Sequence, residues 1–396
     1  MRVNILRLDN FGRGIGYYNN KICFINNALP MEEVDFEIIK ETSKYIEGNM
    51  TDIIKKSPAR IESKCPYSNV CGGCCFQDYD YFLENKYKED KIRSLIERHL
   101  SLSSINVNSI VFNDEFNYRN KIILHGDSDS LGLYKNKTNE IINIDYCLIS
   151  NKKINSIIGI LKNFKDIDEV LIRTSNDENS VIVDIKGKVF DYKDLKNVCD
   201  VLIINDEYIS DKRNIITNIG NKMYYLSSNS FFQVNGILIN KLFDKFLEYV
   251  KNIKPSTVLD LYCGTGSFGI YISEYVKKIV GVDYNKSNID DANRNKKLNN
   301  INNIEYICDK VENVIDRFDN FDLVIVDPPR AGLDRKCCNY LLEMNSNYII
   351  YISCDPNTLI RDLKILSEKY DLLEITPYNL FPRTYHCESI TVLERK

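Results

Sequence analysis

Apolar and polar residues alternate along the chain in two different ways. In residues 1–58, and again from Asn117 to about Leu226, short runs such as Val34–Ile38 place apolar and polar side chains at alternate positions, which is typical of strands. From Ser227 to Lys396, strand-like runs alternate with helical stretches instead. Strands that alternate with helices predict a parallel, doubly wound sheet, and such sheets bind ligands beyond the carboxyl ends of their strands.

These changes of pattern divide the chain into three predicted units. Residues 1–58 predict a small antiparallel β-barrel, because glycines separate its short strands and Ser57-Pro58 has the character of a hinge. Residues 59–226 predict a central α+β domain, and residues 227–396 predict the α/β domain with the doubly wound sheet. Within the central unit, apolar residues recur at helical spacing from Ile92 to Leu100, which predicts an amphipathic, partly basic helix.

Composition and charge limit the class of protein. With 396 residues, 44% of them hydrophobic, the chain is long enough for the cores of two or three domains. Its 52 Lys and Arg against 56 Asp and Glu give a net charge of −4, which excludes a histone-like polycation. No apolar run approaches the roughly 18 residues of a spanning helix, and the first residues lack a signal-peptide core, so we expect a cytoplasmic protein.

Positive charge is concentrated near the start of the chain. The first 30 residues contain Arg2, Arg7, Arg13 and Lys21, but only Asp9 as an acid. Such a local patch favours contact with the phosphates of a nucleic acid, even in a chain that is acidic overall. A solvated charged surface is the alternative interpretation.

Glycines and a carboxylate follow the first predicted strands of the α/β domain. The turn after Leu261 has the spacing Gly264-x-Gly266-x-x-Gly269, and Asp283 ends the next predicted strand. Glycines at this spacing let the backbone approach a cofactor, while the acid binds ribose hydroxyls. The spacing alone fits either a nicotinamide dinucleotide or S-adenosylmethionine.

Three later segments place polar groups at the same predicted edge. Asp327 begins the motif Asp-Pro-Pro-Arg, Cys354 directly follows a predicted strand, and Glu388 comes just before the apolar segment ITVL. A dehydrogenase has no obvious use for the thiol, which makes Cys354 a candidate nucleophile and Glu388 a candidate base. Inert packing is the alternative for Cys354.

The thirteen cysteines point to metal binding or catalysis rather than to a disulfide framework. Four of them have the spacing of ligands, with Cys65-x5-Cys71-x2-Cys74 close together and Cys147 distant. Four thiolates can hold an iron–sulfur cluster or a structural zinc ion. Zinc sites usually contain two Cys-x-x-Cys pairs, and this set has one, which favours the cluster.

Ordered segments throughout the chain resemble the bacterial RNA (uracil-C5)-methyltransferases that have an N-terminal TRAM domain and an iron–sulfur cluster. They are the opening barrel, CPYSNVCGGC at 65–74, YRNK at 118–121, SSNSFFQVN at 227–235, DLYCGTGSFG at 260–269, VDPPRAGLD at 326–334, SCDPNTLIRDL at 353–363 and FPRTYHCESI at 381–390. The resemblance implies an OB-like TRAM barrel that binds RNA, a central iron–sulfur domain and a Rossmann-like class I methyltransferase domain. The implied activity is methylation of C5 of an RNA uridine with S-adenosylmethionine.

The resemblance also implies roles for individual residues. Cys354 would add to C6 of uracil, Glu388 would remove the C5 proton, and Asp327 would contact cofactor or base. The implied cofactor ligands are Gln233, Tyr262, Asp283, Asp309 and Asp327; a charged surface loop is the alternative for Asp309. The implied ligands of a [4Fe–4S] cluster are Cys65, Cys71, Cys74 and Cys147, and Cys75 is left out.

Other cysteines and basic residues have less specific assignments. We expect six cysteines to be packing residues, namely Cys23, Cys199, Cys263, Cys308, Cys337 and Cys338. The resemblance implies that residues 76–111, which hold the amphipathic helix, pack on the catalytic domain. The basic residues of that helix are candidate RNA contacts, together with Arg119 and Lys121. The helix contributes Lys86, Lys88, Lys91, Arg93 and Arg98.

We expect a monomeric enzyme that acts on 23S ribosomal RNA, with a uridine in a tRNA loop as the alternative substrate. An amino-group methyltransferase would account for the Asp-Pro-Pro motif at Asp327. It needs no thiol nucleophile, however, so Cys354 with Glu388 argues against it. A non-catalytic RNA-binding iron–sulfur protein would tolerate the loss of Cys354.

Overall fold

The first 55 residues form a β-barrel of six strands. In the computed structural model, which describes residues 1–100, 105–162, 164–188, 191–230 and 232–396, they are β1 (Arg2–Asn4), β2 (Arg7–Leu8), β3 (Gly14–Tyr18), β4 (Lys21–Asn26), β5 (Glu33–Glu41) and β6 (Tyr45–Lys55). β1 pairs with β5 and β2 with β3, and because β1 and β2 belong to one segment, the sheet closes on itself. The antiparallel prediction is correct except for β4 and β6, which run parallel.

A second sheet, of seven strands, forms the middle of the chain. It follows α1 (Tyr81–His99) and β7 (Asn106–Val107), and its elements are β8 (Lys121–Gly126), β9 (Leu131–Tyr134), β10 (Ile141–Asn143), α2 (Lys152–Leu161), β11 (Ile167–Thr174), β12 (Val181–Gly187), α3 (Lys193–Lys196), β13 (Val201–Ile204) and β14 (Glu207–Tyr208). The strand order is β10-β9-β8-β11-β12-β13-β14. Ile154, Ile158 and Leu161 of α2 pack into the apolar core of this sheet.

The remaining elements build a hairpin and the largest sheet. They are β15 (Ile215–Ile219), β16 (Lys222–Leu226), α4 (Gly236–Ile253), β17 (Thr257–Leu261), α5 (Ser267–Ile272), β18 (Lys278–Asp283), α6 (Lys286–Leu298), β19 (Ile304–Cys308), α7 (Val311–Val314), β20 (Leu323–Val326), α8 (Arg335–Glu343), β21 (Tyr348–Ser353), α9 (Pro356–Leu366), β22 (Tyr370–Tyr378) and β23 (Glu388–Arg395). The short segments Ser273–Tyr275 and Ile315–Arg317 are 3-10 helices.

The largest sheet confirms the predicted doubly wound α/β fold. Its order is β19-β18-β17-β20-β21-β23-β22-β7, and the first five strands are parallel. All four residues of β20 are buried, as expected of a strand that is covered on both faces. β23 runs antiparallel to β21, so β23 begins at the edge where the parallel strands end. Turns after the parallel strands therefore meet the start of β23.

α1 and β7 join the largest sheet, although the central sheet follows them in sequence. β7 pairs with β22, and Ile92, Leu95 and Ile96 of α1 are buried in the core that contains β17 and β20. The side chain of Asp80 begins α1 by accepting a hydrogen bond from the backbone N–H of Leu83 at 3.0 Å. Of the segment 76–111, residues 101–104 lie outside the described residues. No helix in the described ranges is long and apolar enough to cross a membrane.

Candidate active site

Cys354 and Glu388 lie opposite each other at the carboxyl edge of the largest sheet. Cys354 directly follows β21, and Glu388 is the first residue of β23. These antiparallel strands pair Ser353 with Ser389, so Cys354, one residue after Ser353, faces Glu388, one residue before Ser389. Cys354 is half-buried and Glu388 is buried. Two segments that are distant in sequence thus place a thiol beside a carboxyl group.

Burial favours the protonated form of both groups. Burial, followed by the negative charges of Glu388 and Asp327, raises the pKa of the Cys354 thiol to about 12, although Arg330 opposes the shift. Burial and then Asp327 raise the pKa of the Glu388 carboxyl well above its usual range. The thiolate that nucleophilic attack requires is therefore unfavourable until more positive charge enters the site.

Arg330 brings a positive charge to this edge, and the sequence analysis gave it no role. Its charge lowers the pKa of both Cys354 and Glu388. Its Nη2 atom lies 3.4 Å from Nε2 of His386. Burial, followed by the charge of Arg330, lowers the pKa of His386 to about 4, so this ring is neutral at neutral pH. The signal for Arg330 was its place directly after the Asp-Pro-Pro motif.

The glycine turn after β17 packs against the protein at Gly266 and faces open space at Gly264. Gly264 has φ +54°, and a Cβ atom on it would meet no other atom within 4 Å. Gly266 has φ +79°, and a Cβ atom there would collide with the hydroxyl of Tyr306. Asp283 Oδ2 accepts a hydrogen bond from the Gly264 N–H at 3.1 Å. The turn therefore leaves a face open beside Asp283, as the binding of an adenosyl group requires.

Four of the five implied cofactor residues reach the same edge because they end or follow neighbouring parallel strands. Tyr262 follows β17, Asp283 ends β18, Asp309 follows β19 and Asp327 follows β20. Burial raises the pKa of Asp327 to about 7. The fifth residue, Gln233, lies in the loop before α4, where its carbonyl accepts a hydrogen bond from Asn120 Nδ2 at 3.1 Å.

Tyr262 and Asp309 differ in what holds their side chains. The Tyr262 backbone has φ +61°, and its hydroxyl donates to Glu312 Oε1 at 3.0 Å. Asp309 Oδ1 accepts a hydrogen bond from Asn313 Nδ2 at 2.9 Å, within its own turn. Both partners belong to α7, so this helix holds the Tyr262 ring from across the edge and the Asp309 carboxylate from four residues further along the same segment. No motif in the sequence pointed to Glu312.

The four cysteines with ligand spacing line one cavity of about 260 Å³. Burial, and further the neighbouring Cys147, Cys71 and Cys65, raise the pKa of Cys74 to about 12. In the described part of the chain, no three of these sulfurs all lie within 4.8 Å of one another. A single zinc ion, about 2.3 Å from each sulfur, would hold them about 3.8 Å apart. The four thiols thus share one cavity without being drawn together to the separation that one zinc ion would impose.

The remaining cysteines follow the packing prediction with one exception. Cys308 is exposed at the end of β19, so its prediction as a packing residue is wrong. Cys199 is half-buried, and four others are buried, namely Cys23, Cys263, Cys337 and Cys338. Cys75 packs with the apolar side chains of Leu8 and Phe76, not into the cysteine cavity. Among the described residues, Glu312, Asp334 and Cys337 are the one group with metal-ligating atoms within 4.8 Å of one another.

Arg383, in the segment between β22 and β23, bonds to α1 and to the loop of residues 65–76, which carries the clustered cysteines. Its side chain is buried, and its Nη1 donates to the Phe76 carbonyl at 2.8 Å. The guanidinium also forms ion pairs with Glu84, at 3.6 Å, and with Glu115. Its own carbonyl accepts hydrogen bonds from the backbone N–H groups of Cys75 and Phe76, at 3.0 and 3.1 Å. The loop that carries the cysteines is therefore bonded directly to the segment that leads into Glu388.

Some basic residues predicted to contact RNA instead bind other groups of the protein or line its cysteine cavity. Lys88 is completely buried and donates to Glu84 Oε1 at 2.8 Å and to Asn379 Oδ1 at 2.7 Å, so its prediction as an RNA contact is wrong. Arg119 and Lys121 line the cysteine cavity. Their charges therefore lie beside the four thiols.

Most of the early basic patch is paired with carboxylates of the barrel itself. Arg2 pairs with Asp35 at 3.1 Å, Arg13 with Asp9 at 2.7 Å, and Lys21 with Glu41 at 2.6 Å. These acids neutralise much of the local positive charge that the first 30 residues show in sequence. Phosphate contacts from Arg2, Arg13 and Lys21 would therefore compete with ion pairs that already exist.

Similarity to known proteins covers the whole chain. Residues 196–396 match the family described as tRNA (uracil-5-)-methyltransferase, and residues 1–51 match the TRAM domain. The chain is 32% identical over 436 residues to an uncharacterized RNA methyltransferase of Clostridium acetobutylicum, covering 98% of this chain and 95% of the relative. It is also 32% identical over 427 residues to an uncharacterized RNA methyltransferase of Aquifex aeolicus, covering 100% and 99%.

A solved structure shows the same architecture with a cofactor product bound. It is the tRNA (uracil-54, C5)-methyltransferase of Pyrococcus abyssi in complex with S-adenosyl-L-homocysteine, with a TM-score of 0.81 and 26% identity. The match covers 99% of this chain and 100% of that chain. These similarities confirm the predicted fold and decide the cofactor class in favour of S-adenosylmethionine. The chain therefore belongs to the S-adenosylmethionine-dependent RNA (uracil-C5)-methyltransferase family and begins with a TRAM domain.

Proposed function

We propose that the protein methylates C5 of an RNA uridine through a transient covalent bond between Cys354 and C6 of the uracil. The observation that carries this proposal is the register of β21 and β23, which places Cys354 opposite Glu388. Uracil C5 is a poor nucleophile, and addition of a thiolate to C6 makes it reactive as part of an enolate. An amino-group methyltransferase would have no use for this pair of residues.

The residues at the carboxyl edge of the largest sheet have different roles in the proposed methyl transfer. S-adenosylmethionine, if bound beside Asp283, would supply an electrophilic methyl group, and the electron pair of the broken S–CH3 bond would remain on its sulfur to give S-adenosylhomocysteine. Cys354 forms the bond to C6, and the electron pair of the C5=C6 double bond becomes available at C5 to form the new C–CH3 bond. Glu388, as a carboxylate, takes the proton from C5; the electron pair left there restores the double bond and expels the thiolate. Arg330 favours the ionised form of both residues.

The first test replaces Cys354 and measures methyl transfer to RNA from a strain that lacks this gene. We expect Cys354→Ala to abolish transfer, because C5 then has no route to the enolate. Wild-type protein with S-adenosylmethionine should form a covalent complex with 5-fluorouridine RNA, since fluorine replaces the proton that must leave. Cys199→Ala, which removes a half-buried thiol of the central domain, is the control and should retain activity. Substantial transfer by Cys354→Ala would exclude the covalent route.

For the RNA, we propose 23S ribosomal RNA as the substrate and a tRNA loop uridine as the second candidate. The TRAM barrel together with the cysteine motif favours the first. The similarity to the Pyrococcus abyssi enzyme, whose described target is uridine 54 of tRNA, favours the second. Mapping 5-methyluridine in both RNAs from a strain without the gene decides between them, because only the true substrate loses the modification.

We also propose that Cys65, Cys71, Cys74 and Cys147 hold a [4Fe–4S] cluster with a structural or recognition role. Two observations support this assignment over zinc: the four cysteines share one cavity, and among the described residues no three of their sulfurs lie within 4.8 Å of one another. Their loop is bonded to Arg383 and not to Cys354 or Glu388, which supports a role outside methyl transfer itself. The cluster would fix this loop against the segment before β23.

Metal analysis of protein purified without air tests the cluster. We expect about four iron and four sulfide per chain. Cys147→Ser should lose iron and lower the unfolding temperature, because one ligand of the cavity is removed. Cys75→Ser is the matched control and should keep its iron, since Cys75 packs elsewhere. Stoichiometric zinc in such protein would contradict the assignment.

A further inference from the structure

A loop of the TRAM barrel, residues 9–13, is fastened beside the catalytic edge. Asn10 Nδ2 donates a hydrogen bond to Asn357 Oδ1 at 2.6 Å, and Asn357 is three residues beyond Cys354. Lys91 Nζ of α1 donates to the Asn10 carbonyl at 2.8 Å. The Tyr87 hydroxyl, also of α1, donates to the Asp9 carbonyl at 2.6 Å. Bonds from α1 and α9 therefore hold the barrel loop at the rim of the active site.

The loop is also rigid by its own bonds. Asp9 Oδ1 accepts hydrogen bonds from the backbone N–H groups of Phe11 and Arg13, both at 2.8 Å. Asp9 Oδ2 pairs with Arg13 Nε at 2.7 Å. Gly12 has φ +78°, and a Cβ atom on it would come within 2.7 Å of the Phe76 ring. The conformation that presents Phe11 is thus set before any ligand binds, which lowers the entropic cost of a contact made there.

Phe11 presents a largely exposed aromatic ring in this rigid loop, and the Arg13 guanidinium lies 5.6 Å from its centroid. Phe11 is 56% exposed, and its ring meets Tyr385 edge-on at a centroid distance of 5.8 Å. The ring of Tyr385 lies 4.2 Å from that of His386, which in turn lies 3.4 Å from the Arg330 guanidinium. A row of rings therefore leads from the barrel to the arginine whose charge acts on Cys354. We call Phe11, Tyr385 and His386 the aromatic row.

We propose that Phe11 stacks on a nucleobase that neighbours the target uridine, so that the TRAM barrel contributes to the active-site rim through the aromatic row. This inference rests on the proposed function, in which a uracil must leave its stack to reach Cys354. Such a base leaves a neighbour with an uncovered face, and an exposed aromatic side chain at the rim of the active site can cover it. Arg330, at the other end of the row, supplies positive charge for the adjoining phosphate.

Direct RNA binding tests the stacking contact. The probes are bulk tRNA and bulk ribosomal RNA from a strain that lacks the gene, and binding is measured without S-adenosylmethionine. Because Phe11→Ala removes the ring on which one base stacks, we expect it to weaken binding of the substrate RNA by about tenfold, or ~1.4 kcal/mol. Phe11→Tyr should bind within twofold of wild type, because it keeps the ring. Phe11→Leu keeps apolar packing on Tyr385 without a π-face, and should weaken binding as Ala does.

Two controls separate stacking from other effects. Tyr17→Ala removes an aromatic side chain of the same barrel that is 61% exposed, and it should bind RNA as wild type does. The weakening by Phe11→Ala should be the same at low and high salt, because stacking releases no counterions, whereas a lost phosphate contact reduces the salt dependence. Binding unchanged in both Phe11→Ala and Phe11→Leu, or weakened equally by Tyr17→Ala, would overturn the proposal. RNA binding does not require the covalent step. If the covalent mechanism is wrong, the methyl-transfer assay of Cys354→Ala shows it, and the binding results for Phe11 are unaffected.

Discussion

The charge of Arg330 affects how readily Cys354 ionises. Since this positive charge lowers the pKa of the thiol, Arg330→Gln should raise that pKa. Less thiolate is then present at any given pH, and each unit of upward shift costs about tenfold in rate on the rising limb. We expect the pH–rate profile of methyl transfer to move to higher pH. Arg335→Gln, an exposed arginine at the start of α8, should leave the profile unchanged, and an unmoved profile in Arg330→Gln would contradict this role.

Glu388 makes the stability of the protein depend on pH, because burial raises the pKa of its carboxyl group above the value that this group has in the unfolded chain. For such a carboxyl, its contribution to stability is complete below its unfolded pKa of about 4.3 and is lost as pH rises through the folded value. Glu388→Gln cannot ionise, so its unfolding temperature should fall less than that of wild type as pH is raised above about 4.3. Thermal unfolding across this pH range measures the difference. Glu343→Gln, an exposed acid of α8, should follow wild type.

The helix α1 and the segment between β22 and β23 are held together by a buried charged network. Arg383 pairs with Glu115 and donates to the Phe76 carbonyl, so its removal leaves these two groups without their buried cation, whereas Glu84 keeps Lys88. We expect Arg383→Ala to lower the free energy of unfolding by ~3–5 kcal/mol. Lys86→Ala, on the exposed side of α1, should change it by less than ~0.5 kcal/mol. Chemical denaturation of both variants measures this, and a small effect of Arg383→Ala would refute the network's contribution.

The TRAM barrel is integrated into the molecule as a whole and is not a detachable recognition module. Leu8 and Leu29 of the barrel pack with Phe76 and Tyr79, and Asn10 bonds to the catalytic domain. Deletion of residues 1–58 would uncover these rings, so we expect residues 59–396 to unfold at a lower temperature than the full chain. An unchanged unfolding temperature would show that the barrel contributes no stability. RNA recognition is therefore better tested with single substitutions such as Phe11→Ala.

The sequence by itself determined those features that depend on near neighbours in the chain. The alternation of strands with helices predicted the doubly wound sheet. Because parallel strands end at a common edge, it also predicted where Asp283, Asp327 and Cys354 lie. The short spacing of Cys65, Cys71 and Cys74 along the chain predicted that these three residues share a site. Such features need only the local period of the backbone and the chemistry of each side chain.

Only the tertiary structure decided which charged side chains are exposed to solvent and which form hydrogen bonds or ion pairs within the protein. Lys88 looks like a surface cation of an amphipathic helix, yet its partner Asn379 is 291 positions away. Asn10 and Asn357, which join the barrel to the active site, are 347 positions apart. The acids that neutralise the early basic patch likewise include Asp35 and Glu41, on a later strand of the barrel. Exposure and pKa depend on burial and on charges brought from distant segments, and no local pattern in the sequence contains that information.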